Sequence, residues 1–305
     1  MKKRLFIILS ILSFMIASYL LYIGNYIYDY TLNPHAKEKI FDIVDIDQTN
    51  LKKAKEWLNQ YSEDCYIEND QLLLHSYFIK QKSHVYVMIV HGYNGDGVSM
   101  ISAIKHMYKW KYNLLVPDLR GHGHSEGNYI GMGYDDARDI RQWIDFIIQQ
   151  DKLANIFLYG VSMGGAAVLN VSGQTLPHQV KGIIEDSGYS NALDIYKEHM
   201  PVKGIARDIA LSMLDIVTNM KAGYKIKDVQ PLKQVKKSCT PILFIHGSDD
   251  ELVPINMVYS LYKATSASKE LLIIQNAHHS EGSVIDTSTY YYTVHNFIKK
   301  YAKQQ

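Results

Sequence analysis

Asn155-Ile156-Phe157-Leu158-Tyr159-Gly160-Val161-Ser162-Met163-Gly164-Gly165-Ala166-Ala167-Val168-Leu169-Asn170-Val171 is the stretch that decides the fold. Its first five residues are an apolar run of the kind a fully buried strand carries, and its last six are small and apolar enough for a helix packed closely on a sheet. Between them stands Gly-x-Ser-x-Gly. A strand that reverses into a helix over so few residues brings its own backbone into contact, so the positions two before and two after the serine must be nearly free of side chain. Glycine meets that demand. Strand, Gly-x-Ser-x-Gly and helix together are the setting that raises a serine hydroxyl above a sheet as a nucleophile. Alone, the pentapeptide also fits a plain Gly/Ser turn joining strand to helix, and the rest of the chain has to discriminate.

Working outward, buried strands alternate with helices. Val85–Val90, Asn113–Val116, Gly182–Asp186, Pro241–Ile245 and Glu270–Ile274 are short apolar runs without a polar face, as in a parallel sheet covered on both sides. Cys65–Glu68 and Leu72–Ile79, with Asn69-Asp70 between them, predict an antiparallel hairpin at one edge. Ala137, Ile140, Ile144 and Ile147, widened by Trp143 and Ile148, form a helical stripe that Asp135 is placed to cap. A last amphipathic helix carries Tyr291, Val294, Phe297 and Ile298. The expected fold class is α/β, a doubly wound and mostly parallel sheet.

At 305 residues the chain holds one large domain with a little to spare, and a net charge of +1 gives no reason to expect a nucleic-acid partner. Cys65 and Cys239 have no metal-type spacing and are expected to be free, with a single disulfide left open. The N-terminus is a separate matter. Lys2-Lys3-Arg4 precedes nineteen uncharged residues, Leu5 to Ile23, enough helix for the roughly 30 Å of a bilayer core. A cleaved signal peptide is the rival, but Ser18–Gly24 lacks a good small-x-small site. Tyr19, Tyr22, Tyr26, Tyr28 and Tyr30 suit an interfacial belt, and the basic cluster places the remainder outside the cytoplasm. The expected division is an anchor over 1–24, a juxtamembrane spacer and helix over 25–61, and the main domain over 62–305.

In open α/β sheets, sites gather beyond the C-terminal ends of the strands. The polar residues there are His91-Gly92-Tyr93, Asp118, Ser162, Glu185-Asp186, Asp249-Asp250 and His278-His279. Serine, then acid, then histidine is the chain order of a sheet-borne hydrolytic triad. Serine needs a base to take its proton, and the base needs a carboxylate to hold its tautomer.

With His91-Gly92-Tyr93-Asn94-Gly95, Pro117–Ser125, Gly160–Gly164, His246–Pro254 and Ala277-His278-His279 on the page, the chain from about 65 to 300 resembles the α/β-hydrolase superfamily. More narrowly it is similar to membrane-anchored serine hydrolases and esterases of Gram-positive bacteria. The resemblance implies an α/β-hydrolase fold with Ser162 as nucleophile, Asp250 as acid through His-Gly-x-x-Asp-x-x-Val-Pro, and His279 as base through Ala-x-His. Asp249 is then a solvated loop carboxylate, Asp186 the runner-up acid, and His278 the rival base. Backbone N–H groups of Met163 and Tyr93 are the expected oxyanion hole. His91, Asp118 and Arg120 are expected to shape loops. His122 and His124 have no third ligand at metal spacing, so neither metal nor cofactor is expected.

The segment from 190 to 235 is rich in methionine and isoleucine. It is either a short helical cap over the catalytic end or a packed helix pair of the core. The expected activity is hydrolysis of a small ester or other acyl substrate. A peptidase of the same fold and a catalytically silent surface scaffold are the alternatives, and oligomeric state is not legible.

Overall fold

The computed structural model describes residues 2–35 and 48–303. Eight strands form one sheet in the order β1-β2-β4-β3-β5-β6-β7-β8: β1 Glu63–Asn69, β2 Leu72–Ile79, β3 Val85–Val90, β4 Asn113–Pro117, β5 Asn155–Val161, β6 Val180–Asp186, β7 Ile242–Gly247 and β8 Lys269–Ile274. β1 pairs antiparallel with β2 and β2 with β4, while every pairing from β4 through β8 is parallel. The helices are α1 Lys2–Thr31, α2 Gln48–Tyr61, α3 Ile101–Lys109, α4 Asp136–Gln150, α5 Met163–Val171, α6 Ala192–His199, α7 Gly204–Ala222, α8 Pro231–Val235, α9 Asn256–Ala264, α10 Gly282–Ile285 and α11 Thr287–Ala302.

Two cores explain why the central strands have no polar face. Met88 and Val90 of β3, and Ile156 and Leu158 of β5, pack with α4 and α5 on one side. Val87, Ile89, Phe157 and Tyr159 point the other way, against α3 and α11. A period of two places neighbours on opposite faces, so a strand covered on both sides must be apolar throughout.

Two local expectations change. The hairpin turn is Asp70-Gln71, with φ of 52° and 63°, not Asn69-Asp70, because Asn69 still pairs with Leu72. Two successive positive φ values make the tight turn whose twist suits a hairpin, and the Asn69 amide is used elsewhere, donating to Asp139 at 2.7 Å. Asp135 does not cap α4. Its backbone is already helical, and its carboxylate is engaged by Tyr129, Arg138 and Arg120. The 190–235 segment is divided among α6, α7 and α8. Pro201 holds Met200 extended and ends α6, and Gly223, at φ 76°, closes α7 in the left-handed conformation.

The N-terminal helix is longer than its apolar stretch. It runs through Gly24 without interruption to Thr31, long and apolar enough in its first part to cross a membrane. Residues from Lys2 to Tyr19 are exposed, whereas Gly24, Tyr28 and Thr31 are buried against the protein. A Cβ on Gly24 would stand 2.6 Å from the Met213 carbonyl of α7, so the two helices touch backbone to backbone. Asp29 pairs with Lys221 at 3.0 Å, and the Lys221 ammonium sits over the Tyr28 ring. Part of the expected 25–61 spacer, residues 36–47, lies outside the described residues; its helix is α2.

The 190–235 segment makes contacts of two kinds. Leu211, Leu214 and Val217 of α7 are buried in the same core as Tyr28 and Tyr93, as a packed pair would be. The His199 ring at the end of α6 lies 2.8 Å from the Leu252 carbonyl, so the segment also reaches over the C-terminal ends of the strands.

Candidate active site

β5 ends at Val161, and Ser162 takes φ 56° and ψ −118°, a strained conformation for a residue with a side chain. The strain is held from both sides. Ser162 N–H donates to the Asp186 carbonyl at 2.8 Å, and the Ser162 carbonyl accepts from Ala166 N–H at 3.0 Å. A Cβ on Gly160 would collide with the Gly164 carbonyl, and one on Gly164 with the Val90 carbonyl, so the turn admits only glycine at both places.

Beyond the turn, the Ser162 hydroxyl lies 2.8 Å from His279 Nε2, and His279 Nδ1 lies 2.8 Å from Asp250 Oδ2. A carboxylate beside Nδ1 makes that nitrogen the donor, which leaves Nε2 to accept from the serine. Asp250 is placed by its own loop, with Oδ1 accepting from Leu252 N–H at 3.0 Å and Val253 N–H at 2.8 Å. Burial alone would raise the Asp250 pKa. Hydrogen bonds from His246 and His279 outweigh it and hold the carboxyl well below the usual range, so it is charged.

The other candidates are occupied differently. Asp186 accepts from Tyr290 OH at 2.7 Å and Ser187 OH at 2.9 Å. Asp249 accepts from its neighbour Ser248, and His278 lies 3.0 Å from the Asp249 carbonyl. His91 is fully buried, with Nδ1 2.8 Å from the Gly92 carbonyl and Nε2 accepting from Leu119 N–H at 2.9 Å. It ties two loops together, and burial lowers its pKa. Arg120 forms a buried pair with both oxygens of Asp139, each at 2.7 Å.

The two expected oxyanion donors flank the serine. Met163 is the first residue of α5, where a helix leaves N–H groups without an intrahelical acceptor and favours negative charge. The loop bearing Tyr93 lies against the turn, since a Cβ on Gly92 would stand 3.2 Å from Ser162 Cβ.

Spacing did not predict one cluster. His75, Asp118 and His124 come together with potential ligand atoms within 4.8 Å of one another. Both His75 ring nitrogens are already engaged, Nδ1 by Asp118 at 2.8 Å and Nε2 by Asp64 at 3.1 Å. Asp118 also accepts from Gly97 N–H at 2.7 Å and His124 N–H at 2.9 Å, which makes the cluster a hydrogen-bonded brace for the loop after β4. Cys65 and Cys239 are both free thiols.

Two further residues, His246 and Glu185, have no role of their own in the sequence reading. His246 Nε2 lies 3.3 Å from Asp250 Oδ2 and 2.8 Å from the Val253 carbonyl. Glu185 is buried on the neighbouring strand, and burial raises its pKa from 4.5 to about 8. The signal was present in outline, since each is a polar residue inside an otherwise apolar strand, at Ile184-Glu185 and Ile245-His246. Because the folded state holds the Glu185 proton more tightly than the unfolded chain, stability falls as pH rises from about 4.5 to about 8. Glu185→Gln removes that dependence. Its melting temperature relative to wild type is expected to be higher at pH 8.5 than at pH 5, and a difference that does not change with pH would refute a native-state proton there.

A serine aminopeptidase (S33) family model matches residues 81–210, and a serine hydrolase (FSH1) model matches residues 177–280. The uncharacterized protein YqkD of Bacillus subtilis (strain 168) is 24% identical over 230 residues, which cover 70% of this chain and 70% of that protein. Among solved structures, the Pyrococcus furiosus esterase Pf2001 superposes with a TM-score of 0.66 at 19% identity, covering 81% of this chain and 95% of its own. A membrane phospholipase A described as a bacterial virulence factor gives a TM-score of 0.60 at 13% identity, over 99% of this chain and 100% of its own. At such identities the structural likeness speaks for the fold.

Proposed function

The chain belongs to the α/β-hydrolase superfamily, and from that membership we propose a membrane-tethered serine hydrolase that cleaves carboxylic esters through an acyl-enzyme. The observation that carries this is the line of hydrogen bonds from Ser162 through His279 to Asp250. In the first half-reaction His279 Nε2 takes the serine proton as Oγ attacks the ester carbonyl carbon. The carbonyl oxygen becomes an oxyanion facing the Met163 and Tyr93 N–H groups, and the charged Asp250 stabilises the imidazolium. Collapse breaks the bond to the alcohol oxygen, which leaves with the proton from Nε2. Water then attacks the acyl-serine with the same base, releasing the acid and restoring the hydroxyl.

The tether is α1, with Lys2-Lys3-Arg4 on the cytoplasmic side and the domain outside. An aminopeptidase is the second reading, favoured by the description of the S33 model. It needs a carboxylate to receive the substrate's ammonium group. Asp186, Glu185 and Asp250 are engaged by Tyr290, Gly188 and His279 respectively, which favours the ester.

The test is labelling of the full chain by a fluorophosphonate, beside initial rates on a butanoyl ester and an aminoacyl anilide. Labelling at Ser162 with ester turnover well above amide turnover is expected. A folded protein that takes no label would remove the hydrolase assignment, and faster amide cleavage would move it to peptidase.

A further inference from the structure

An apolar cavity of about 340 Å³ lies between the end of α1 and the α6–α7 segment, lined by Ile27, Thr31, Ile195, Tyr196, Met200 and Ala210 among others. That volume is at the lower end of the roughly 300–1,000 Å³ typical of small-molecule sites. Three observations give it an occupant.

The first is its nearness to the serine. Thr31, on the cavity wall, accepts a 2.5 Å hydrogen bond at its carbonyl from the Tyr93 hydroxyl. Tyr93 follows Gly92, which lies against Ser162, so this tyrosine links the loop beside the nucleophile to the cavity wall.

The second is its position along α1. Ile23, the last residue of the apolar stretch, is also on the cavity wall, so no polar spacer intervenes between span and cavity.

The third is the direction of α7. Gly24 meets Met213, and Tyr28 and Asp29 meet Lys221, so positions rise together and the helices run parallel. Ile205 stands eight residues before Met213, about 12 Å further along the helix at 1.5 Å per residue, which sets it beside the apolar half of α1. Ile205 is 80% exposed, and its neighbours Val202 and Ile209 are also exposed. A corner of this kind is costly in water and natural in the acyl region of a bilayer.

We propose that the cavity is an acyl-chain site filled directly from the membrane, and that the ester presented to Ser162 belongs to a long-chain bilayer lipid. Val202, Ile205 and Ile209 sink into the leaflet beside α1, bringing the cavity mouth to the depth of the chains. The lipid's acyl group then reaches Ser162 past Tyr93 without crossing water. The assignment of the ester rests on the esterase reading of Ser162; the occupancy of the cavity by an acyl chain does not.

Two measurements on the full chain in lipid nanodiscs test this. In Ser162→Ala, a fatty acid with a terminal diazirine is expected to cross-link saturably to the buried Ile195 and Tyr196, and Ala210→Phe or Met200→Trp in that background should cut this labelling at least fivefold. Label confined to the exposed span and to Val202 or Ile205 would overturn the site. In the otherwise wild-type chain, kcat/KM should rise by about fourfold per methylene while the chain fills the cavity. The dodecanoyl-to-butanoyl ratio should fall at least tenfold in Ala210→Phe and in Met200→Trp, and a ratio unmoved by both would also overturn it. If neither ester is hydrolysed, the proposed function fails, and the cross-linking still decides whether an acyl chain enters.

Discussion

Replacing Ser162 by alanine is expected to lower kcat on a soluble ester by about 10⁴- to 10⁶-fold with the fold intact. The substitution removes one oxygen. That oxygen makes no capping bond to α5, and the backbone bonds that hold the turn, to the Asp186 carbonyl and from Ala166 N–H, do not involve the side chain. Alanine meets the same positive φ that serine already tolerates, so little stability is at stake. What is lost is the atom that attacks, and with it the covalent intermediate. The residual rate is then whatever bound substrate gains from the Met163 and Tyr93 N–H groups. Stopped or continuous assay of the purified variant beside wild type reads this directly. Activity within tenfold of wild type would place the nucleophile elsewhere.

Asp250→Asn is expected to cost about 10⁴-fold in kcat, by analogy with loss of the orienting acid in other triads, while Asp186→Asn costs less than tenfold. Asparagine keeps an oxygen for the Leu252 and Val253 N–H groups, so the loop that carries it survives. It replaces Oδ2, the atom beside His279 Nδ1, with an NH₂ group. The amide donates where the carboxylate accepted, which turns His279 to the tautomer that carries hydrogen on Nε2. A protonated Nε2 cannot take the serine proton, and no negative charge remains to stabilise the imidazolium. Asp186 is bound to Tyr290 and Ser187, so its amide disturbs hydrogen bonding without reversing the base. A large loss in Asp186→Asn together with a mild one in Asp250→Asn would make Asp186 the acid.

The exposed apolar stripe of α1 and the buried turns that continue it have a consequence for the whole molecule. A helix that is exposed and apolar in one half and part of the core in the other runs unbroken from Lys2 to Thr31, where the Thr31 carbonyl accepts from the Tyr93 hydroxyl. Read locally, residues 25–61 are polar and mixed, a juxtamembrane spacer followed by a helix. Tyr28 and Leu32 are buried, because α7 and the loop after β4 cover them from far along the chain.

The sequence by itself determined what depends on near neighbours. Alternating apolar runs set the strands and their two-sided burial, Gly160 and Gly164 set the turn that carries Ser162, and Leu5–Ile23 set a helix long enough to span a bilayer. These follow from steric limits and solvent transfer acting over a few residues, so they are legible in order along the chain. Motif resemblance pointed to Asp250 and His279 over Asp249, Asp186 and His278, and the tertiary structure brings Asp250 beside His279 and His279 to a serine 117 residues away. It also joined His75 to Asp118 and His124, put Glu185 and His246 behind the acid, and opened the cavity between α1 and α7. Such placements come from strand order and helix packing, which bring together residues with no local signal of one another.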